Sequence, residues 1–344
     1  MAVKLKLDPW ASEYNTAYFA EEIAAEVKEN IDLEIETKDW QAISNKRDMS
    51  LFPYEHLLFI DGSRRIEARI LLEDDNSQVA FGALASYAIG AVDCCPIQSR
   101  AAKFVDLSSI GVEAVNRVCV VGRGQQHSDF IITPRLKHQF GSLKYKTITT
   151  MEQDAEAVVR KLQETMLEHE HMLASNLETS FDNALIISDG PRPYMGKVPV
   201  KSVIGYVKTI HKMSISKKEL EVVRALKQGE RSPLYVIGGE DKSKQIFEWF
   251  LRLRDPNPWL YTLAGMVRLQ AYAGPNPEEL VESVAALADY LAMLLPKFAS
   301  KQHQDPRAPQ QLLPVRGLEA ELRRRMGNAQ IVRRRITEYL SLQQ

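Results

Sequence analysis

The sequence predicts a mixed α/β fold: a sheet in two halves with a long helix crossing between them. Three observations predict it. Apolar, strand-like runs occupy the early part of the chain. A stretch from about Met151 to Leu177 has helical periodicity and lacks proline and glycine. Further strand-like runs follow it and give way to a helical C-terminal third.

Taken in order, Ala17–Lys28 places Phe19, Ile23 and Val27 at helical spacing with charges between them. Residues 1–50 are therefore expected to form an N-terminal helical arm, and 51–344 the main domain with its C-terminal helices. His56–Ser63 is an apolar run that ends in Asp61-Gly62. Arg64–Glu73 alternates, with Ile66, Ala68 and Ile70 on one face and Glu67 and Arg69 on the other. Val79–Val92 and Val115–Val121 read as further strands, the second followed by a Gly122-Arg123-Gly124 turn. The long helix interleaves charge with Val158, Val159, Leu162, Met166 and Leu173. Ala184–Pro191 is a short buried-type strand ending in Asp189-Gly190. Val203–Ile210, Pro233–Gly239 and the apolar Trp259–Tyr272 follow as strand-like stretches. Pro277–Ala299, Leu312–Gly327 and Ala329–Leu342 are helical, with a polar loop at Ser300–Gln311.

Composition narrows the class of function. The 344 residues allow two modules or one large domain with insertions. Hydrophobic residues at 45% and charged residues at 26% match soluble globular usage and exclude a mainly disordered, collagenous or membrane-spanning chain. Lys+Arg 44 against Asp+Glu 45 gives a formal charge of −1, so any phosphate-binding surface must come from local clustering. Cys94, Cys95 and Cys119 form no CxxC pair and read as reduced, partly buried thiols. The N-terminus lacks an apolar signal core, and no stretch approaches the roughly 20 apolar residues of a membrane helix. A cytoplasmic location is expected.

The repeated Asp-Gly ending carries the chemistry. An aspartate at the carboxyl end of a buried strand projects where open α/β sheets bind ligands. The glycine after it lets the backbone turn or lets a substrate approach. If the two strands are neighbours, Asp61 and Asp189 face each other, and a divalent cation relieves their repulsion. The long helix offers Glu164, Glu168 and Glu170 as a third carboxylate, and the residues alone leave that choice open. Lys208, at the end of the Val203 strand, is placed to steady a phosphate. Lys197, Lys201, His211, Lys212, Lys217 and Lys218 form one basic region; Arg323–Arg325 and Arg333–Arg335 form another. There is no Walker A sequence, no GxSxG elbow and no zinc-like histidine spacing.

With these residues in place, the chain resembles the NurA family of DNA-repair nucleases. The resemblance rests on Phe59–Ser63, on Leu185–Gly190 after a glutamate-bearing helix, on Gly205–Thr209, on Gly265–Gln270 and on Leu313–Gly327, in family order. It implies an RNase H-like core, a homodimer and a Mn²⁺- or Mg²⁺-dependent 5′-to-3′ exonuclease and single-strand endonuclease. It also implies a partner, the hexameric HerA-type DNA-translocating ATPase, with which DNA ends are processed for recombination. Carried over residue by residue, it assigns Asp61 and Asp189 as metal ligands. It favours Glu170 over Glu164 and Glu168, and it matches Lys208 to the family's lysine. The family's late histidine ligand has no match here, and Glu319 is the oxygen donor available in its place. That departure motivates the alternative of a catalytically weak DNA clamp or docking module for the motor. An unrelated phosphoesterase acting on small phosphate esters is a third possibility.

Overall fold

The structure, a computed structural model, describes residues 30–73, 79–94, 101–124, 128–133, 141–192, 202–208, 215–238 and 241–342. The elements run β1 (Asn30–Asp32), β2 (His56–Glu73), β3 (Val79–Asp93), β4 (Lys103–Phe104), β5 (Val115–Val121), β6 (Phe130–Ile132), β7 (Leu143–Thr149) and α1 (Ala155–Ser180). They continue through β8 (Ala184–Asp189), β9 (Val203–Val207), α2 (Lys217–Ala225), β10 (Tyr235–Gly238), β11 (Ile246–Arg252) and β12 (Met266–Tyr272). Three helices close the chain: α3 (Val281–Phe298), α4 (Leu313–Arg325) and α5 (Ala329–Ser341). The protein is mixed α/β, with a large mixed sheet and several helices.

The chain divides into two compact units that interleave in sequence. One comprises residues up to Phe59, Val92–Lys103 and Leu177–Arg316; the other comprises Ile60–Ala91, Phe104–Asn176 and Gly317–Gln344. Strand β2 begins in the first unit and continues into the second.

In the first unit the strand order is β1-β10-β11-β12-β9-β8, followed by β2. Pairing is antiparallel from β1 through β9, and β8 lies parallel to β9. Strand β11, Ile-Phe-Glu-Trp-Phe-Leu-Arg, is buried at every position. It therefore lacks the alternation that marks a half-exposed strand. Trp40, Tyr235, Phe250, Ile246, Met266 and Val223 share a core with Ile31, Leu33 and Leu220. The arm helix expected at Ala17–Lys28 lies outside the described residues. From residue 30 to 48 the chain is β1 and irregular backbone, followed by a short 3-10 turn at Met49–Leu51, because its side chains have partners in the core. The Trp40 indole donates to Leu33 O at 2.7 Å and its ring lies 5.7 Å from that of Tyr235.

A buried charge network fastens that segment. The Arg231 guanidinium is 1% exposed; it binds Glu36 at 2.8 Å and Asp289 of α3 at 2.7 Å. Arg47 and Asn45 also donate to Asp289, at 2.9 and 3.2 Å. Arg252 is buried too, but its donors go to carbonyls: Leu226, Ala264 and Arg224. Two of these close the C-terminal end of α2, where a cation complements the helix dipole. Burial lowers the Arg252 pKa to about 10, against an opposing pull from Asp255, so it stays charged at neutral pH.

In the second unit the order is β2-β3-β5-β7-β6, with β4 beside β3. Strand β7 runs parallel to β5, while β3 pairs antiparallel with β5 and β6 with β7. Leu143 and Tyr145 of β7 point inward and Lys144 and Lys146 outward, the expected period of two. Leu84, Cys119, Val121 and Tyr145 pack with Val332 and Ile336 of α5. Asp154 opens α1 by accepting from Ala157 N at 2.6 Å.

Trp259–Tyr272 is strand only from Met266 onward. Gly265 sets the boundary: its φ is +78°, and a Cβ there would lie 2.4 Å from Arg254 O. Among the described residues, no helix is long and apolar enough to cross a membrane.

Two outcomes are expected. Asp289→Ala leaves the Arg231 guanidinium buried without one of its carboxylates and should lower stability by about 3–5 kcal/mol in urea titration. An effect below about 1 kcal/mol would show that the network contributes little. Burial pushes the thiols of Cys94 and Cys119 up to about 12, with the Asp93 charge adding to the effect at Cys94. Both should therefore stay protonated at pH 8 and resist iodoacetamide in the native protein while reacting in urea, as peptide mass spectrometry would record.

Candidate metal centre

Asp61 does not end its strand. The sequence reading places a break at Asp61-Gly62, whereas β2 continues for 18 residues from His56 to Glu73. Gly62 is there for close approach rather than for a turn. A Cβ at this position would lie 2.1 Å from Glu170 Oε1 and 3.0 Å from Met166 Sδ. The missing side chain lets α1 press Glu170 against the β2 backbone, one residue from Asp61. Asp61 and Glu170 are 8% and 6% exposed. Glu164, paired with Lys161 at 3.6 Å, and Glu168 lie on the exposed side of the same helix. Of the three helix glutamates, Glu170 is thus the one laid against β2, on the face to which Gly62 rather than Asp61 points. Next to it, His169 Nδ1 lies 2.9 Å from both Thr165 O and the Tyr87 hydroxyl. Burial raises the Tyr87 pKa, so this hydroxyl keeps its proton.

Glu319 comes from α4, which the second unit grips at two points. Leu318 and Leu322 lie so close to Gly90 of β3 that a Cβ there would be 2.9 Å from each. At the other end, the Met326 and Gly327 carbonyls accept from Arg65 and Arg117, at 2.8 to 3.2 Å. Both guanidiniums also bind Glu67, at 3.1 and 3.0 Å. Glu67 accepts from Ser86 Oγ at 2.6 Å and from the Tyr145 hydroxyl. The period-two reading turns Glu67 outward with Arg69. The fold buries it instead, because two arginines, a serine and a tyrosine supply the donors that a buried carboxylate requires.

Asp189 is the last residue of β8, as the sequence leads one to expect. Gly190 follows with φ +111°, and its N–H donates to Tyr206 O at 2.9 Å. The chain then passes over Gly205 of β9, where a Cβ would lie 2.4 Å from Arg192 N. Arg192 N donates to Gln270 Oε1 at 2.8 Å, and Gln270 Nε2 donates to Glu248 at 2.7 Å. The Tyr235 hydroxyl donates to the other Glu248 oxygen at 2.5 Å. A ladder of buried polar groups from β10, β11 and β12 therefore fixes the loop behind Asp189. Lys208, just past β9, donates to both Asp189 Oδ2 and Gln311 Oε1. The neighbouring Tyr206 hydroxyl donates to Gln310 O at 2.6 Å; burial, then the Asp189 charge, raise its pKa.

Among the described residues, one set of three carboxylates can hold a metal ion: Asp61, Asp189 and Glu319. Glu170 is not a member of it. The donors are all hard carboxylate oxygens, which suit Mg²⁺, Mn²⁺ or Ca²⁺ and not a thiolate-seeking metal. Of the first basic region, Lys217 and Lys218 are exposed on α2, and Lys197, Lys201, His211 and Lys212 lie outside the described residues. Sequence reasoning missed Glu67, Glu248 and Gln270. No protein-family profile matches the chain, and no curated protein matches it either.

The two glycines differ in what a side chain would meet. At Gly205 the obstacle is the Arg192 backbone; at Gly62 it is the end of a flexible glutamate. Gly205→Ala should therefore cost about 1–3 kcal/mol by overpacking. Gly62→Ala should cost less, because Glu170 can swing aside. Thermal melts of the two variants check the order, and the reverse order would contradict the packing described.

Proposed function

We propose that the chain is a metal-dependent DNA nuclease in which Asp61, Asp189 and Glu319 hold one or two Mn²⁺ or Mg²⁺ ions. The observation that carries this reading is the all-carboxylate donor set. The likeness of the Asp-Gly strands, the glutamate-bearing helix and the Gly205–Thr209 segment to the NurA nucleases supports it. On this reading the sheet is an RNase H-like core, and Glu319 stands where those nucleases carry a histidine. Homodimerisation and action with a HerA-type hexameric ATPase at DNA ends belong to the same proposal.

Each side chain then has a task. A divalent ion in the donor set would lower the pKa of water and offset charge developing on phosphorus. Asp61 and Asp189 present oxygens from strands whose backbones are fixed by packing at Gly62 and Gly205. Glu170 lies against the Gly62 backbone, on the β2 face that alternates with that of Asp61, and is outside the donor set. Lys208 offers a point charge to a phosphate oxygen while Gln311 holds its Nζ. A second reading, a docking module that holds DNA for the motor and cleaves weakly, draws on the Lys208 contact with Asp189. That contact already neutralises one donor oxygen.

The test is cleavage of labelled linear DNA by the purified chain in Mn²⁺. Cleavage should stop in EDTA, and Asp61→Ala and Asp189→Ala should each reduce it about 100-fold or more while the circular dichroism spectrum is retained. Undiminished cleavage by either variant would overturn the assignment. Mn²⁺ binding without cleavage, alone or with a motor partner, would favour the docking module.

A further inference from the structure

We propose that the exposed arginines around the α4–α5 turn, Arg323, Arg333 and Arg334, form a surface that grips a nucleic-acid strand through its phosphates. This rests on the nuclease reading for the identity of the polymer, but not for the existence of the surface. The chain as a whole is nearly neutral, yet residues 317–342 hold six arginines and three glutamates.

The six arginines are not equivalent. Arg324 and Arg325 both bind Glu321, at 2.7 and 2.8 Å. Their hydrogen bonds hold the Glu321 carboxyl down to about 2, so that neutralisation persists at any physiological pH. Arg335 donates to Gly141 O at 2.5 Å. Arg323, Arg333 and Arg334 are exposed, and their side chains have no ion-pair partner among the described residues. They carry the excess charge.

The scaffold beneath them is fixed. Helix α5 buries Val332 and Ile336 in the core of the second unit. Asn328 caps it by accepting from Gln330 N and Ile331 N at 2.9 and 3.1 Å. Arg65 and Arg117 hold the carbonyls of the turn itself. Guanidiniums on such a base lose little freedom on binding, and their planar forks match phosphate oxygens two at a time. An anionic bilayer fits less well. Val332 and Ile336 of α5 are already packed in the core, which leaves the separate Ile331 and Leu340 as exposed apolar residues of the helix rather than a continuous stripe that could enter lipid. A polymer with closely spaced phosphates supplies several contacts at once and needs no apolar insertion.

Fluorescence anisotropy with a labelled single-stranded oligonucleotide in EDTA tests the surface independently of the metal centre. The variant carrying Arg323→Gln, Arg333→Gln and Arg334→Gln should bind at least about tenfold more weakly, and its log K against log salt slope should be shallower by about 2. Arg324→Gln with Arg325→Gln should change either quantity much less. Wild-type affinity and slope in the triple variant would overturn the proposal, as would binding to phosphatidylserine vesicles but not to the oligonucleotide. Arginine-dependent binding in a chain that never cleaves DNA in Mn²⁺ would uphold the surface and remove the nuclease.

Discussion

A carboxylate withdrawn from water must meet positive charge or several donors, and this requirement organises both units of the protein. Glu67 meets it with two arginines, a serine and a tyrosine. Glu36 and Asp289 meet it with the buried Arg231. Glu248 meets it with Tyr235 and Gln270. Asp189 meets it in part with Lys208. For the donor set of Asp61, Asp189 and Glu319, the proposed counter-charge is a divalent ion.

These networks do more than satisfy themselves. The Glu67 network ties the end of α4 to β2 and β5, and α4 carries Glu319. The Glu248–Gln270 ladder holds Arg192 over Gly205, and Asp189 lies at the head of that loop. Within each unit, candidate ligands thus stand on strands and helices whose positions are set by buried polar contacts.

The sequence made some of this legible and concealed the rest for identifiable reasons. Asp189-Gly190 at the end of an apolar run, the long helix and the three C-terminal helices follow from local pattern, and local pattern is what sequence records. The choice of Glu170 from the residues alone was open. Gly62, whose missing side chain makes room for one glutamate of α1, sets Glu170 against β2, but the donor set of Asp61, Asp189 and Glu319 does not include it. Glu67 looked solvent-facing because its donors Arg117 and Tyr145 lie far away in sequence. The Asp61-Gly62 step looked like a strand end because Gly62's role depends on a helix a hundred residues later. Strand β11 escaped notice because a strand buried on both faces has no alternation, although its run of large apolar side chains was a usable signal. Residues 30–50 gave no sign of Arg231, which fixes them in the core.

The most direct test of the account is a crystal of the protein soaked in Mn²⁺ and examined by anomalous scattering. A peak with oxygens of Asp61, Asp189 and Glu319 about 2.0–2.6 Å away is the expected result. A peak bound elsewhere, or a fully soaked crystal with none at these carboxylates, would contradict it.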